Sequence, residues 1–127
     1  MKANLINSIL HEFNIDGVVE NFVPYGSGHV NDTFLINCHA DGQRNQYVLQ
    51  RINHSIFTDP PALMENIVRV SRHIRMKLQN QGVTDIDRYV LTVVPTYEGR
   101  GFYRDAEGGY WRVYHHIENV HSREFLN

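Results

Sequence analysis

The feature that most restricts the fold of this chain is a change of hydrophobic period in its middle. Up to Ile52 the apolar residues come in short β-branched and aromatic segments cut by turns. Val18 to Val23 is the first, Thr33 to Cys38 the second and Gln46 to Ile52 the third. Pro24-Tyr25-Gly26-Ser27-Gly28 separates the first pair, and the polar stretch His39 to Asn45, with Asp41-Gly42 inside it, separates the second. Segments of this kind joined by short turns predict an antiparallel meander. From Asp59 the period becomes helical, with Leu63, Met64, Ile67, Val70, Ile74 and Leu78 on one face for about five turns. Asp59 or Thr58 is the expected N-cap, and Pro60-Pro61 fits the first turn, where a missing N–H is harmless. Arg72, His73, Arg75 and Lys77 suit the negative end of the helix dipole, and Gly82 ends the pattern.

Flanking segments complete the expected architecture. Leu5, Ile6, Ile9, Leu10 and Phe13 recur at helical spacing and predict an amphipathic helix over residues 3–13. Tyr89 to Val94, Gly101 to Arg104 and Tyr110 to Ile117 predict three further strands, punctuated by turns at Glu98-Gly99 and Asp105 to Gly109. The fold class is therefore α+β, an antiparallel sheet of about five to six strands packed with a long helix, plus an N-terminal helix. A length of 127 residues suits one domain, 1–127.

Composition excludes several function classes. Hydrophobic residues at 42% and charged residues at 20% place the chain among globular proteins. A formal net charge of -2 gives no electrostatic case for nucleic acid or an anionic membrane as partner. Cys38, the single cysteine, rules out an internal disulfide framework and fits a reducing compartment. The apolar runs fall far short of the ~20 residues a membrane span needs, so the expected location is cytoplasmic.

The chemistry-bearing candidates cluster around the first hairpin. In Gly26-Ser27-Gly28-His29-Val30-Asn31 the glycines let backbone N–H groups approach phosphate oxygens without obstruction. A dinucleotide-binding loop opens a helix and a Walker-type loop ends in Gly-Lys-Ser/Thr; this one opens a strand, as the glycine-rich loop of kinases does. An ordinary hairpin turn needing glycine for its backbone angles accounts for the loop equally well. The third strand of a kinase carries a phosphate-contacting lysine paired with a glutamate on the following helix. Here that strand offers Gln50 and Arg51, and the helix offers Glu65. Because strand side chains alternate, only one of Gln50 and Arg51 faces a nucleotide. A solvated strand arginine and a helix-surface carboxylate are the plain alternatives for Arg51 and Glu65. His115 and His116, adjacent on a strand, face opposite sides and cannot pair on a metal. Cys38, mid-strand beside His39, is poorly placed for activation as a nucleophile.

Several segments together resemble the N-terminal lobe of the N-acetylhexosamine 1-kinase family, in the aminoglycoside-phosphotransferase and choline-kinase branch of the kinase-like fold. They are Tyr25-Gly26-Ser27-Gly28-His29-Val30-Asn31-Asp32-Thr33-Phe34, Tyr47-Val48-Leu49-Gln50-Arg51-Ile52-Asn53, Phe57 to Pro60 with Leu63 to Ile67, and Tyr110 to Tyr114 with Ile117-Glu118. The resemblance implies ATP-dependent phosphoryl transfer, with Mg2+, to the anomeric hydroxyl of an N-acetylhexosamine. It implies that Gly26, Ser27, Gly28, His29 and Asn31 cover the phosphates, that Gln50 or Arg51 contacts them with Glu65 as helix partner, and that His116, Ile117 and Glu118 line the adenine. It also implies that the catalytic aspartate and the metal ligands belong to a following lobe beyond Asn127. This portion is then a scaffold for ATP that alone binds it weakly or not at all and is not an enzyme by itself, and a sugar substrate reaches it only through that lobe. Val120, Phe125 and Leu126 are then expected to face the second lobe, with high mobility after Ile117 when it is absent.

Two other readings compete. One is a non-catalytic interaction module with a kinase-lobe fold, favoured by the absence of a lysine at Gln50. The other is a mucin-desulfating sulfatase, a label attached to some relatives. It fails because Cys38 is followed by His39-Ala40-Asp41 rather than the Cys/Ser-x-Pro-x-Arg run a formylglycine requires.

Overall fold

A computed structural model describes residues 2–25, 33–53 and 56–116. Helix α1 (Lys2–Leu10) precedes strands β1 (Val18–Pro24), β2 (Thr33–Ala40) and β3 (Gln43–Ile52); helix α2 (Pro60–Asn80) is followed by β4 (Val93–Val94), β5 (Tyr103–Arg104) and β6 (Tyr110–His115). The six strands form one sheet in the order β1-β2-β3-β6-β4, with β5 also pairing β6, and every pairing is antiparallel. The α+β class and the antiparallel meander expected from the sequence are thus present.

Local chemistry explains where the elements depart from the expected bounds. The turn between β2 and β3 contracts to two residues because Asp41 (φ 52°) and Gly42 (φ 79°) both adopt left-handed conformations. That is the geometry of a tight hairpin whose twist matches its strands. Both strands therefore extend further than the polarity of His39 to Asn45 suggested. Helix α1 ends early at Leu10, yet Phe13 stays in the core through a tighter turn, its N–H donating to the Leu10 carbonyl at 3.2 Å. The strand expected over Tyr89–Val94 survives only as Val93–Val94, since Ile86–Arg88 winds into a 3-10 turn that buries Ile86 and Val90 and leaves Tyr89 exposed.

One face of the sheet carries the core. Alternation along the strands points Phe34, Ile36 and Cys38 of β2, Tyr47 and Leu49 of β3, Val94 of β4, and Trp111 and Val113 of β6 to one side. Ile6, Ile9 and Leu10 of α1, with Phe13 from the turn just beyond it, cover them at the i, i+3, i+4, i+7 spacing of a helix face. Gly17 seals the edge: with φ at +99°, a Cβ there would lie 2.3 Å from the His39 carbonyl oxygen.

The long helix is well capped at both ends. Asp59 Oδ1 accepts from the Ala62 N–H at 3.2 Å, with proline in the first turn. At the other end the Val83 N–H donates to the Leu78 carbonyl and the Gly82 N–H to Gln79, which closes the last turn around a left-handed glycine. Its apolar face is only partly used. Met64 is fully buried, whereas Val70 and Ile74 remain 45% and 41% exposed. No helix among the described residues is long and apolar enough to cross a membrane.

Candidate functional site

The second face of the sheet is lined by two contrasting rows. Strand register sets Val23, Leu35, Val48, Tyr114 and Val93 side by side across five strands. The next row toward the β1–β2 turn holds Thr33, Gln50 and Arg112, and the Tyr25 N–H donates to the Thr33 carbonyl at 2.9 Å. Directly paired residues share a face, and rows two residues apart are roughly 6.7 Å from each other. An apolar platform therefore lies beside a polar one. Val23, at the β1 edge of the apolar row, is 45% exposed, whereas Val48 in its middle is buried at 2%, so this surface is open at its edge.

Arg112 dominates the polar row. Its Nε and Nη2 both donate to Gln50 Oε1, at 3.0 and 2.6 Å. Its Nη1 faces Met64 Sδ at 3.8 Å, and its guanidinium carbon lies 5.6 Å from the centroid of the Tyr114 ring. Burial pulls the Arg112 pKa down from its usual value, with Tyr114 opposing; arginine nevertheless stays charged. Burial likewise raises the Tyr114 phenol, against the effect of Arg112.

The structure separates the two β3 candidates. Gln50 pairs with Arg112 and Arg51 pairs with Trp111, so their side chains take opposite faces. Arg51 lies over the β5–β6 turn: a Cβ on Gly109 would stand 3.2 Å from Arg51 Nε and 2.8 Å from Asp105 Oδ2. Asp105 organises that turn. Its Oδ1 accepts from the N–H groups of Glu107 and Gly109 at 2.9 and 2.8 Å, and its Oδ2 from the Trp111 indole at 2.8 Å. Burial pushes the Asp105 carboxyl up, but those hydrogen bonds and the charge of Arg51 outweigh it and hold the pKa below the usual range.

Glu65 is exposed and forms no ion pair among the described residues, so the expected Arg51–Glu65 couple is not made. The α2 residue that meets the polar row is its neighbour Met64. Glu65 instead lines an open groove of about 760 Å³ with Asp59, Arg69, Arg72, Gly101 and Phe102. His116 ties the end of β6 to the start of the glycine turn. Its backbone N–H donates to the Gln46 carbonyl at 3.0 Å, its Nε2 lies 2.9 Å from the Tyr25 hydroxyl, and the two rings meet edge to face. Gly26, Ser27, Gly28, His29 and Asn31, with Ile117 and Glu118, lie outside the described residues, as does the tail to Asn127.

Other chemistries find little support. Cys38 is fully buried, and burial followed by the charge of Glu20 pushes its thiol up to about 11, so it is a packing residue and not a nucleophile. Among the described residues no group of three or more His, Cys, Asp or Glu side chains could hold a metal ion. No protein-family model matches the chain.

Sequence reasoning missed Arg112. The available signal was a lone charge inside the otherwise aromatic and β-branched run Tyr110-Trp111-Arg112-Val113-Tyr114. What it lacked was the register that brings Gln50, distant in sequence, opposite that charge.

Proposed function

We propose that this chain is the nucleotide-binding lobe of an ATP-dependent small-molecule kinase, with an N-acetylhexosamine as acceptor. The observation that carries the reading is a sheet face on which an apolar row adjoins a hydrogen-bond-donating cationic row next to a glycine-rich strand-to-strand turn. An adenine is a flat apolar body with polar edges, and a triphosphate is a chain of anionic oxygens; the two rows match them in that order. The sheet order, with the hairpin at one edge and the helix inserted between β3 and the later strands, supports the same reading. The amino-sugar acceptor rests on the sequence resemblance.

In this reading the Val23, Leu35, Val48 and Tyr114 row lies beneath the base, and by the sequence resemblance His116, Ile117 and Glu118 would line its polar edge. By the same resemblance, Gly26, Ser27, Gly28, His29 and Asn31 would contact the phosphates. Phosphoryl transfer needs positioning and charge stabilisation more than covalent chemistry, which suits a rigid sheet face. Mg2+ would neutralise phosphate charge when bound; the described residues supply no cluster to hold it, and the acceptor hydroxyl would be activated by residues outside them.

The decisive assay is ADP release by the full-length protein, with ATP, in the presence and absence of N-acetylglucosamine or N-acetylgalactosamine. Turnover that depends on the sugar is expected. Turnover unaffected by any sugar would remove the acceptor, and absence of ATP binding would remove the kinase reading. A second reading, a non-catalytic module on the same fold, is favoured by Gln50 standing where a lysine is usual and by Glu65 forming no ion pair among the described residues. It predicts ATP binding without turnover, or no binding at all.

A further inference from the structure

The arginines of this chain are treated unequally by the fold. Arg75 reaches Asp87 at 2.8 Å, Arg88 lies 3.6 Å from Asp85 and Arg100 lies 4.0 Å from Glu98, while Arg44, Arg51, Arg69, Arg72 and Arg104 are exposed to water. Arg112 is half-buried and has no carboxylate partner among the described residues. Taking a cation partly out of water with no counter-ion costs free energy, so an unpaired guanidinium in this position calls for an explanation.

Its single strong partner sharpens the point. Guanidinium groups only donate, so the atom of Gln50 that faces Arg112 must be the amide oxygen. That oxygen takes two of the five N–H donors. Another nitrogen faces a thioether, a weak acceptor. The Gln50 amide nitrogen has no partner among the described residues, and it too can only donate. The pair therefore presents unspent donors and a full positive charge. It adjoins Thr33, the first described residue after the glycine turn. A site of donors without an acceptor binds an anion.

We infer that Arg112, on β6, is the cation that binds the phosphate chain of the nucleotide, and that Gln50 is the positioning residue that aims it. The inference rests on the nucleotide-binding reading above. It moves the phosphate-contacting charge away from β3, where Arg51 lies exposed on the other face, near Asp105. Gln50 is then suited to its place: a neutral acceptor fixes the guanidinium without cancelling its charge, whereas a carboxylate there would.

The test is calorimetric titration of the full-length protein with ATP, with inorganic tripolyphosphate and with adenosine, for wild type, Arg112→Met and Gln50→Glu. Loss of a charge-assisted contact predicts ATP and tripolyphosphate affinities lower by on the order of 10–100-fold in Arg112→Met. Adenosine affinity should stay within about two-fold, because the apolar row is unchanged. Gln50→Glu should weaken ATP in the same direction while melting at or above the wild-type temperature, since it supplies the missing counter-ion. This second variant decides the matter if Arg112→Met fails to fold. Wild-type ATP affinity in Gln50→Glu, or parallel loss of adenosine and ATP in either variant, overturns the inference and leaves nucleotide binding standing. A wild-type protein that binds neither ATP nor adenosine overturns the nucleotide reading itself, and this inference with it.

Discussion

Replacing Asp105 by asparagine removes one charge and almost no volume, and the structure gives its cost in detail. The carboxylate serves three donors: two turn amides on Oδ1 and the Trp111 indole on Oδ2. An amide has one oxygen and one NH2, so it cannot accept on both sides. If the oxygen keeps Glu107 and Gly109, the NH2 faces the indole N–H of Trp111, a residue 1% exposed. Leaving that donor unsatisfied costs about 1–3 kcal/mol, and the two remaining bonds lose their charge assistance. Allowing for partial solvent access at the turn, the sum is about 2–4 kcal/mol. At an m-value of about 1.5 kcal/mol/M this lowers the urea midpoint by about 1.3–2.7 M. Trp111 is the single tryptophan, so its fluorescence reports the transition directly. The effect also has a pH signature. Because folding lowers the Asp105 pKa, the carboxylate stabilises the fold above the unfolded value near 3.8, and that contribution disappears as pH falls through the folded value. The gap between wild type and variant should be full at pH 7 and close below about pH 4. An unchanged midpoint at pH 7, or a gap that persists in strong acid, would refute the reasoning.

Three further outcomes follow from the core and the caps. Gly17→Ala should destabilise by more than about 2 kcal/mol, because it adds a left-handed penalty to a backbone clash with His39; Gly42→Ala, facing open space at similar φ, should cost only about 1 kcal/mol. Comparative thermal melts of the two variants check the difference. Cys38 should resist alkylation by iodoacetamide at pH 8 until urea unfolds the chain, and rapid labelling of the folded protein would contradict its burial and raised pKa. Asp59→Ala removes the side-chain cap of α2 and should cost about 1 kcal/mol by urea titration, without altering the emission of Trp111 in the folded state.

How far the sequence alone could reach depended on how local each signal was. Helix α2 was legible to within a residue, because its cap, its prolines and Gly82 act within one turn of the chain. The meander was legible from alternation, although the hairpin at Asp41-Gly42 proved tighter than the polarity around it suggested. The strand expected over Tyr89–Val94 was not legible, since its β-branched composition lost to a 3-10 turn that buries Ile86 and Val90. For the candidate site, alternation correctly required Gln50 and Arg51 to part company, but only long-range register shows which way. Arg51 pairs with Trp111 on the core side, near Asp105, and Gln50 meets Arg112 across β3 and β6. Gln50 is met by Arg112 of a neighbouring strand, Met64 of α2 meets Arg112 in turn, and Glu65 forms no ion pair among the described residues.

The central claim is that the sheet face opposite α1 receives a nucleotide. Methyl NMR of the full-length protein during titration with ATP tests it most directly, because strand alternation places reporters on each face. Ring-current shifts are predicted at the methyls of Val23, Leu35 and Val48, with those of Ile36, Leu49 and Val113 against α1 left nearly unmoved. Saturating ATP that leaves Leu35 and Val48 unshifted, or that shifts the α1-facing methyls instead, would contradict the account.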